Sequence, residues 1–115
     1  MKIAIITGAS SGMGREFVRQ FHRYETVDEV WVIARRENAL NALKEECPYP
    51  IRPVPMDLCD PESFDRLSAL LAEIKPDIRL LVNAAGFGKF GKFQNVPLED
   101  DLKMFDLNCK ALVSM

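Results

Sequence analysis

The chain has 115 residues, of which 48% are hydrophobic, and 17 acidic against 15 basic side chains give a formal net charge of −2. That size suits one domain around one substantial core, and without a long basic block the composition carries no footprint for nucleic acid. No apolar run approaches the roughly 20 residues that cross a bilayer, and a single histidine, His22, excludes a His-rich metal centre or a catalytic device built on several histidines.

The opening residues run straight into a strand pattern at 2–6 and lack the apolar region and cleavage pattern of a secretory signal. Cys47, Cys59 and Cys109 are scattered, odd in number and without metal-ligand spacing. Reduced thiols in a cytoplasmic protein are the expectation. After the first strand, Met13, Phe17, Val18, Phe21 and Tyr24 recur at helical spacing and predict a helix with one buried stripe. The second strand falls at 29–34 (EVWVIA), followed by a helix carrying Leu40, Leu43 and Cys47 that stops before Pro48. The third strand, 51–56, contains Pro53 and Pro55, each of which removes a ladder donor, so it belongs at a sheet edge.

A third helix follows Asp60-Pro61 and carries Phe64, Leu67, Leu70, Leu71 and Ile74, with Pro76 beyond its end. The fourth strand, 78–82 (IRLLV), leads to a loop from Phe87 to Val96, and a last helix carries Leu98, Leu102, Phe105, Cys109 and Leu112. The order is βαβαβαβα in a single domain spanning 1–115. Alternation of this kind predicts an α/β fold, a Rossmann-like parallel sheet with helices on both faces and strand order 3-2-1-4.

The stretch TGASSGMG, Thr7 to Gly14, places three glycines where the first strand hands over to its helix. A helix start has unpaired amides and a partial positive charge, so a diphosphate binds there without a basic side chain. Gly8 would free the turn, Gly12 would let backbone approach the diphosphate, and Gly14 would let helix and strand approach each other. The spacing differs from the G-x-G-x-x-G fingerprint, and no G-K-[ST] ending marks a nucleoside-triphosphate loop. At the end of the second strand the chain reads Ala34-Arg35-Arg36 where an NAD site commonly carries an acid. Arginines there suit a ribose 2′-phosphate, which favours NADP(H) over NAD(H); the alternative is a solvated helix entrance.

Taken together, these residues resemble the short-chain dehydrogenase/reductase family across essentially the whole chain. TGASSGMG resembles its Thr-Gly-x-x-x-Gly-x-Gly cofactor motif and Asn83-Ala84-Ala85-Gly86 its Asn-x-x-Gly element; Asp57-Leu58 matches the acidic residue after the third strand, and Asn108 the asparagine of the active-site helix. The resemblance implies that Gly8, Ser10, Ser11, Gly12, Met13, Gly14, Arg35, Arg36, Asp57, Leu58, Asn83, Ala84, Ala85 and Gly86 line a dinucleotide site. Asp57 would accept from the adenine amine, or else cap the following helix. Asn108, spaced to face the sheet with an apolar stripe, would hold a water of the family's proton relay, or else bond to water or backbone at a helix bend. Thr7 would hydrogen-bond the neighbouring turn at Asn83–Gly86. No metal is implied.

The family's chemistry also needs a Ser and a Tyr-x-x-x-Lys pair. Tyr24 and Tyr49 are the only tyrosines, and the residues four positions on are Asp28 and Pro53. Ser114 lies too early to be the catalytic serine. The expectation is therefore the N-terminal cofactor-binding half of a longer enzyme that interconverts a carbonyl and an alcohol, with a homo-oligomer as the full-length form. By itself this half would be inactive and marginally stable, with strand four left as an unpaired edge. The competing reading is a complete module that binds or senses the dinucleotide without chemistry. Phe87, Lys89, Phe90, Lys92 and Phe93 are the residues that would border a small-molecule substrate.

Overall fold

The computed structural model describes residues 1–87 and 91–115. Its sheet is fully parallel, with β1 (Lys2–Thr7), β2 (Glu29–Ala34), β3 (Ile51–Pro55) and β4 (Asp77–Asn83) in the order β3-β2-β1-β4. Both the class and the strand order expected from the sequence are present. Lys89 and Phe90 of the expected substrate loop lie outside the described residues.

A strand with neighbours on both sides and helices above and below has no polar face to offer. β1 meets that requirement with Ile3 to Thr7 all buried. Ala4 and Ile6 point into a core closed by α1 (Gly12–Gln20) and α2 (Glu37–Glu46), where they meet Val18, Phe21, Val30, Val32, Leu40 and Leu43. Ile3 and Ile5 point the other way, into a core with Trp31, Ile33, Val54, Met56, Leu58, Leu67 and Ala111 under α3 (Pro61–Ile74) and the final helix. α3 starts cleanly because Asp60 caps it, its carboxylate accepting from the Glu62 amide at 3.0 Å, with Pro61 preset for the first helical position.

β3 shows how a strand tolerates two prolines. The Met56 amide donates to Ala34 on β2 at 2.9 Å. Alternation along the strand then turns the nitrogens of Pro53 and Pro55 away from β2, where no partner is required. The edge is held instead by side chains. Glu29 accepts from Arg52 Nε at 2.8 Å and from the buried Trp31 Nε1 at 2.9 Å, while the Arg52 guanidinium lies 5.4 Å from the centre of the indole.

Two helical stripes differ from expectation. In α1 the buried positions are Gly14 and Val18, continued by Phe21 in a short 3-10 turn, whereas Met13 is 85% exposed and Phe17 and Tyr24 are also exposed. The close contact made at Gly14 selects the stripe in phase with it, and Met13 and Phe17 stand one residue, about 100°, out of that phase. The final helix runs as α4 (Leu98–Phe105), a π-helical segment Asp106–Ala111, and α5 (Leu112–Ser114). Leu98, Leu102, Phe105, Cys109 and Leu112, expected to form its buried face, are all exposed. Leu107, Ala111 and Met115 meet the sheet instead. Their spacing of four is the ordinary i, i+4 face of a helix, on a different side from the expected stripe, which is exposed from Leu98 onward, before the π segment begins.

Replacing Glu29 by Ala strands the buried Trp31 N–H and is expected to cost about 1–3 kcal/mol in a urea melt, more than Arg52→Ala. The Arg52 hydrogen bond, then that of Trp31, holds the Glu29 carboxyl below its ordinary range against the opposing effect of burial. Its stabilisation is therefore full above the unfolded value of about 4.3 and is lost as pH falls through the lower folded value. Glu29→Gln should flatten the stability profile in that acid window; an unchanged profile would remove Glu29 from this role.

Candidate functional site

The carboxyl ends of all four strands meet along one edge of the sheet, and the glycine turn sits at its centre. Gly8 has φ of +64° and Gly12 of +58°, backbone conformations that side chains with a Cβ adopt only at a cost. At Gly8 a Cβ would also fall 2.5 Å from the Ala84 carbonyl oxygen, and at Gly14 it would land on the Gly8 carbonyl. Gly12 faces open space, with nothing within 4 Å of where its Cβ would stand. Two glycines are thus required by neighbouring backbone, and the third leaves the entrance of α1 clear.

Ser11 occupies the N-cap position of α1 in an extended conformation, yet its side chain makes no capping bond and the first turn holds no acidic residue. Ser11, Gly12 and Met13 are exposed, Ser10 is half-buried and Gly14 is buried. The amides that open this helix therefore face solvent without a carboxylate or hydroxyl, unlike those of α3. Such an end attracts an anion.

Thr7 ties this turn to the end of β4. Its buried hydroxyl donates to the Val82 carbonyl at 3.4 Å and accepts from the amides of Ala84 and Ala85, each at 3.2 Å. The expected link between Thr7 and the Asn83–Gly86 turn is present, and it saturates the oxygen. Asn83 and Gly86 are exposed and Ala84 and Ala85 half-buried beside it.

Arg35 and Arg36 follow β2 and are exposed, and neither has an ion pair among the described residues. Asp57 follows β3, also exposed; its Oδ1 accepts from the Cys59 amide at 2.9 Å in an Asx turn, so capping of α3 is left to Asp60. Leu58 is buried in the second core. Desolvation raises the Cys59 thiol above its ordinary value, the carboxylates of Asp57 and Asp106 adding to the effect while Arg35 and Lys103 oppose it. Arg35 and Asp57 therefore share one electrostatic neighbourhood around Cys59. The arrangement presents two unneutralised guanidiniums, a carboxylate and an uncapped helix entrance along one edge.

Asn108 takes the second of its two expected settings, a bond to backbone at a helix irregularity. It is exposed within the π-helical segment. Its Oδ1 accepts from the Phe87 amide at 2.9 Å and its Nδ2 donates to the Phe87 carbonyl at 2.8 Å. A Cβ on Gly86 would lie 2.9 Å from that Oδ1, so the absence of a side chain there lets the pair form. Asn108 thus holds the chain as it leaves the Asn83–Gly86 turn. The backbone bond offered as the alternative for Asn108 is the one present, and the sequence reading missed only the π segment, whose period no apolar pattern announced, and which backbone group, Phe87, would be the partner.

A family model described as short chain dehydrogenase matches residues 2–115. The chain is 31% identical over 113 residues to a probable short-chain type dehydrogenase/reductase, VdlC, of Helicobacter pylori, covering 96% of this chain and 39% of that protein. It is 27% identical over 115 residues to the NADPH-dependent 3-dehydrocapnine reductase of Ornithobacterium rhinotracheale, covering 98% of this chain and 40% of the other. Among solved structures, a short-chain dehydrogenase from Sphingobium yanoikuyae in complex with NADPH superimposes with a TM-score of 0.78 at 28% identity, over 99% of this chain and 45% of that one. The chain thus spans about two fifths of the length of these curated relatives. Among the described residues, no helix is long and apolar enough to cross a membrane.

Thr7→Val should cost about 1–3 kcal/mol by leaving the Ala84 and Ala85 amides without their acceptor, and Thr7→Ser should recover most of it. Chemical denaturation of the two variants checks this. Equal stability of Val and Ser at position 7 would contradict the hydroxyl's part in joining β1 to the β4 turn.

Proposed function

The chain belongs to the short-chain dehydrogenase family, and on that premise we propose that it is the dinucleotide-binding part of an oxidoreductase that interconverts a carbonyl and an alcohol, with NADP(H) as the preferred cofactor. The observation that carries the reading is the solvent-facing, uncapped start of α1, opened by Gly8 and Gly12 and set beside the Asn83–Gly86 turn. A diphosphate fits there because it supplies the negative charge that the first turn lacks.

In this reading the amides from Ser10 to Gly14 receive the diphosphate. Arg35, with Arg36, receives the ribose 2′-phosphate; the pair has no ion-pair partner among the described residues, and no acid stands in their place to favour a bare ribose. The NADPH in the names of two relatives supports the same choice. Asp57 retains Oδ2 without a hydrogen bond among the described residues and would accept from the adenine amine. Leu58 supports the adenine site through its backbone and its place in the core. Asn83 to Gly86 flank the dinucleotide as it crosses from β1 toward β4.

A nicotinamide, when bound, supplies the hydride chemistry. The residues of this chain bind and orient it, and Asn108 acts as a positioning residue through Phe87. Neither tyrosine here forms a Tyr-x-x-x-Lys pair, so the 115-residue chain binds the dinucleotide without turning over substrate. A cytoplasmic setting is supported by three free cysteines, and self-association by the exposed Leu98, Leu102 and Phe105 on α4 and Ile78 and Leu81 on β4.

Calorimetric titration of the chain with NADPH and NADH tests the assignment. NADPH should bind more tightly, and Arg35→Ala should cost NADPH about tenfold or more in affinity while leaving NADH little changed. Equal affinities, or no binding by the folded chain, would overturn it.

A further inference from the structure

Between the start of α3 and the π-helical segment lies a cavity of about 130 Å³ that the dinucleotide reading leaves unused. That volume approaches the roughly 150 Å³ in which a protein interior accommodates one benzene ring. Leu58, Phe64 and Ala111 give it an apolar floor, Leu58 and Ala111 buried and Phe64 half-buried. Cys59, Asp106 and Lys110 line it with polar groups.

Asp106 and Lys110 stand four residues apart, the spacing at which opposite charges on a helix ordinarily pair. Here neither is in an ion pair among the described residues, and both open onto the same cavity. The Ser114 hydroxyl beside them is already committed, donating to the Lys110 carbonyl at 2.8 Å. Asp106, Lys110 and Ala111 all belong to the π-helical segment, and π turns set into helices gather at functional sites. A carboxylate and an ammonium are thus left to a ligand, above a floor that suits one ring.

The surroundings carry both signs: Asp57 and Asp106 act on the Cys59 thiol against Arg35 and Lys103. A ligand of one sign would gain at one end of the cavity and be repelled at the other. A neutral molecule with separated charges is opposed at neither. We infer that this cavity is a second binding site, for a small zwitterion of the amino-acid class with one compact apolar side chain: Lys110 receives its carboxylate, Asp106 its ammonium, and Leu58, Phe64 and Ala111 its side chain. The site stands whether or not a dinucleotide binds at the glycine turn.

The probe is free L-phenylalanine, with benzoate and benzylamine as its single-charge counterparts, each titrated into the isotopically labelled folded chain. L-phenylalanine should bind with a Kd in about the millimolar range, as so small a ligand allows, and should shift the amides of Cys59, Lys110 and Ala111. Each single-charge compound should bind about two- to fivefold more weakly, the range of an exposed ion pair. Asp106→Asn should weaken L-phenylalanine and benzylamine by that factor and leave benzoate unchanged, whereas Lys110→Gln should weaken L-phenylalanine and benzoate and leave benzylamine unchanged. No shifts at these amides, equal binding of the three compounds, or the same loss for all three in either variant would overturn the inference while leaving the cofactor reading standing. Displacement of L-phenylalanine by saturating NADPH would assign the cavity to the dinucleotide and also overturn it. Failure of NADPH to bind while L-phenylalanine still does would overturn the cofactor reading alone.

Discussion

At the carboxyl end of β1 two backbone segments approach so closely that only a hydrogen fits between them. Gly14, in the first turn of α1, lies against the Gly8 carbonyl, and Gly8 lies against Ala84 on the far side. Everything at this edge of the sheet depends on that approach. It lets the entrance of α1 come down onto the end of β1, and it brings the turn after β4 alongside. Thr7 then locks the junction, since one buried hydroxyl engages a carbonyl and two amides of the neighbouring turn. A larger residue at either glycine would push the helix outward and separate groups whose joint placement makes the site.

The charges follow the same geometry. Two ion-pair clusters lie away from the site edge: Glu29 with Arg52 at the β3 edge, and Glu46 with Arg15 and Arg19 between α1 and α2. At the site edge Arg35 and Arg36 have no such partners among the described residues, and the α1 entrance has no acid in its first turn. Two arginines and a helix entrance without an acid thus stand where the strands end, with the Asp57 carboxylate beside Arg35. The rigid sheet beneath, with β1 buried on both faces, keeps these groups in place without help from their own side-chain contacts.

Much of this was legible in the sequence, for identifiable reasons. The edge position of β3 followed from its prolines, because a residue without an amide hydrogen is tolerated only where no neighbour asks for one, and it agreed with the order that the alternation of strands and helices implied. The glycine turn was legible because positive φ and close approach exclude other residues. What escaped was rotational phase. Met13 and Phe17 looked like core because they are large and apolar, but the contact at the smallest residue, Gly14, sets which face of α1 turns inward. In the last helix the inward face is Leu107, Ala111 and Met115, and Asn108, within a π segment, pairs with the backbone of Phe87. A local change of helical pitch leaves no trace in a pattern of side-chain types, whereas a main-chain partner for Asn108 was one of its two expected settings. The agreement between Glu46 and two arginines of another helix was equally silent, since it depends on which faces of α1 and α2 meet.

The central claim is that the main-chain amides at the entrance of α1 receive the diphosphate of a nicotinamide dinucleotide. Amide chemical shifts of the isotopically labelled chain, followed during titration with NADPH, test it most directly. The largest changes should fall on Ser10 to Gly14, with a second group at Ala84 to Gly86 and Arg35. Saturable changes centred on another surface, with the amides of Gly12 and Gly14 unmoved, would contradict it.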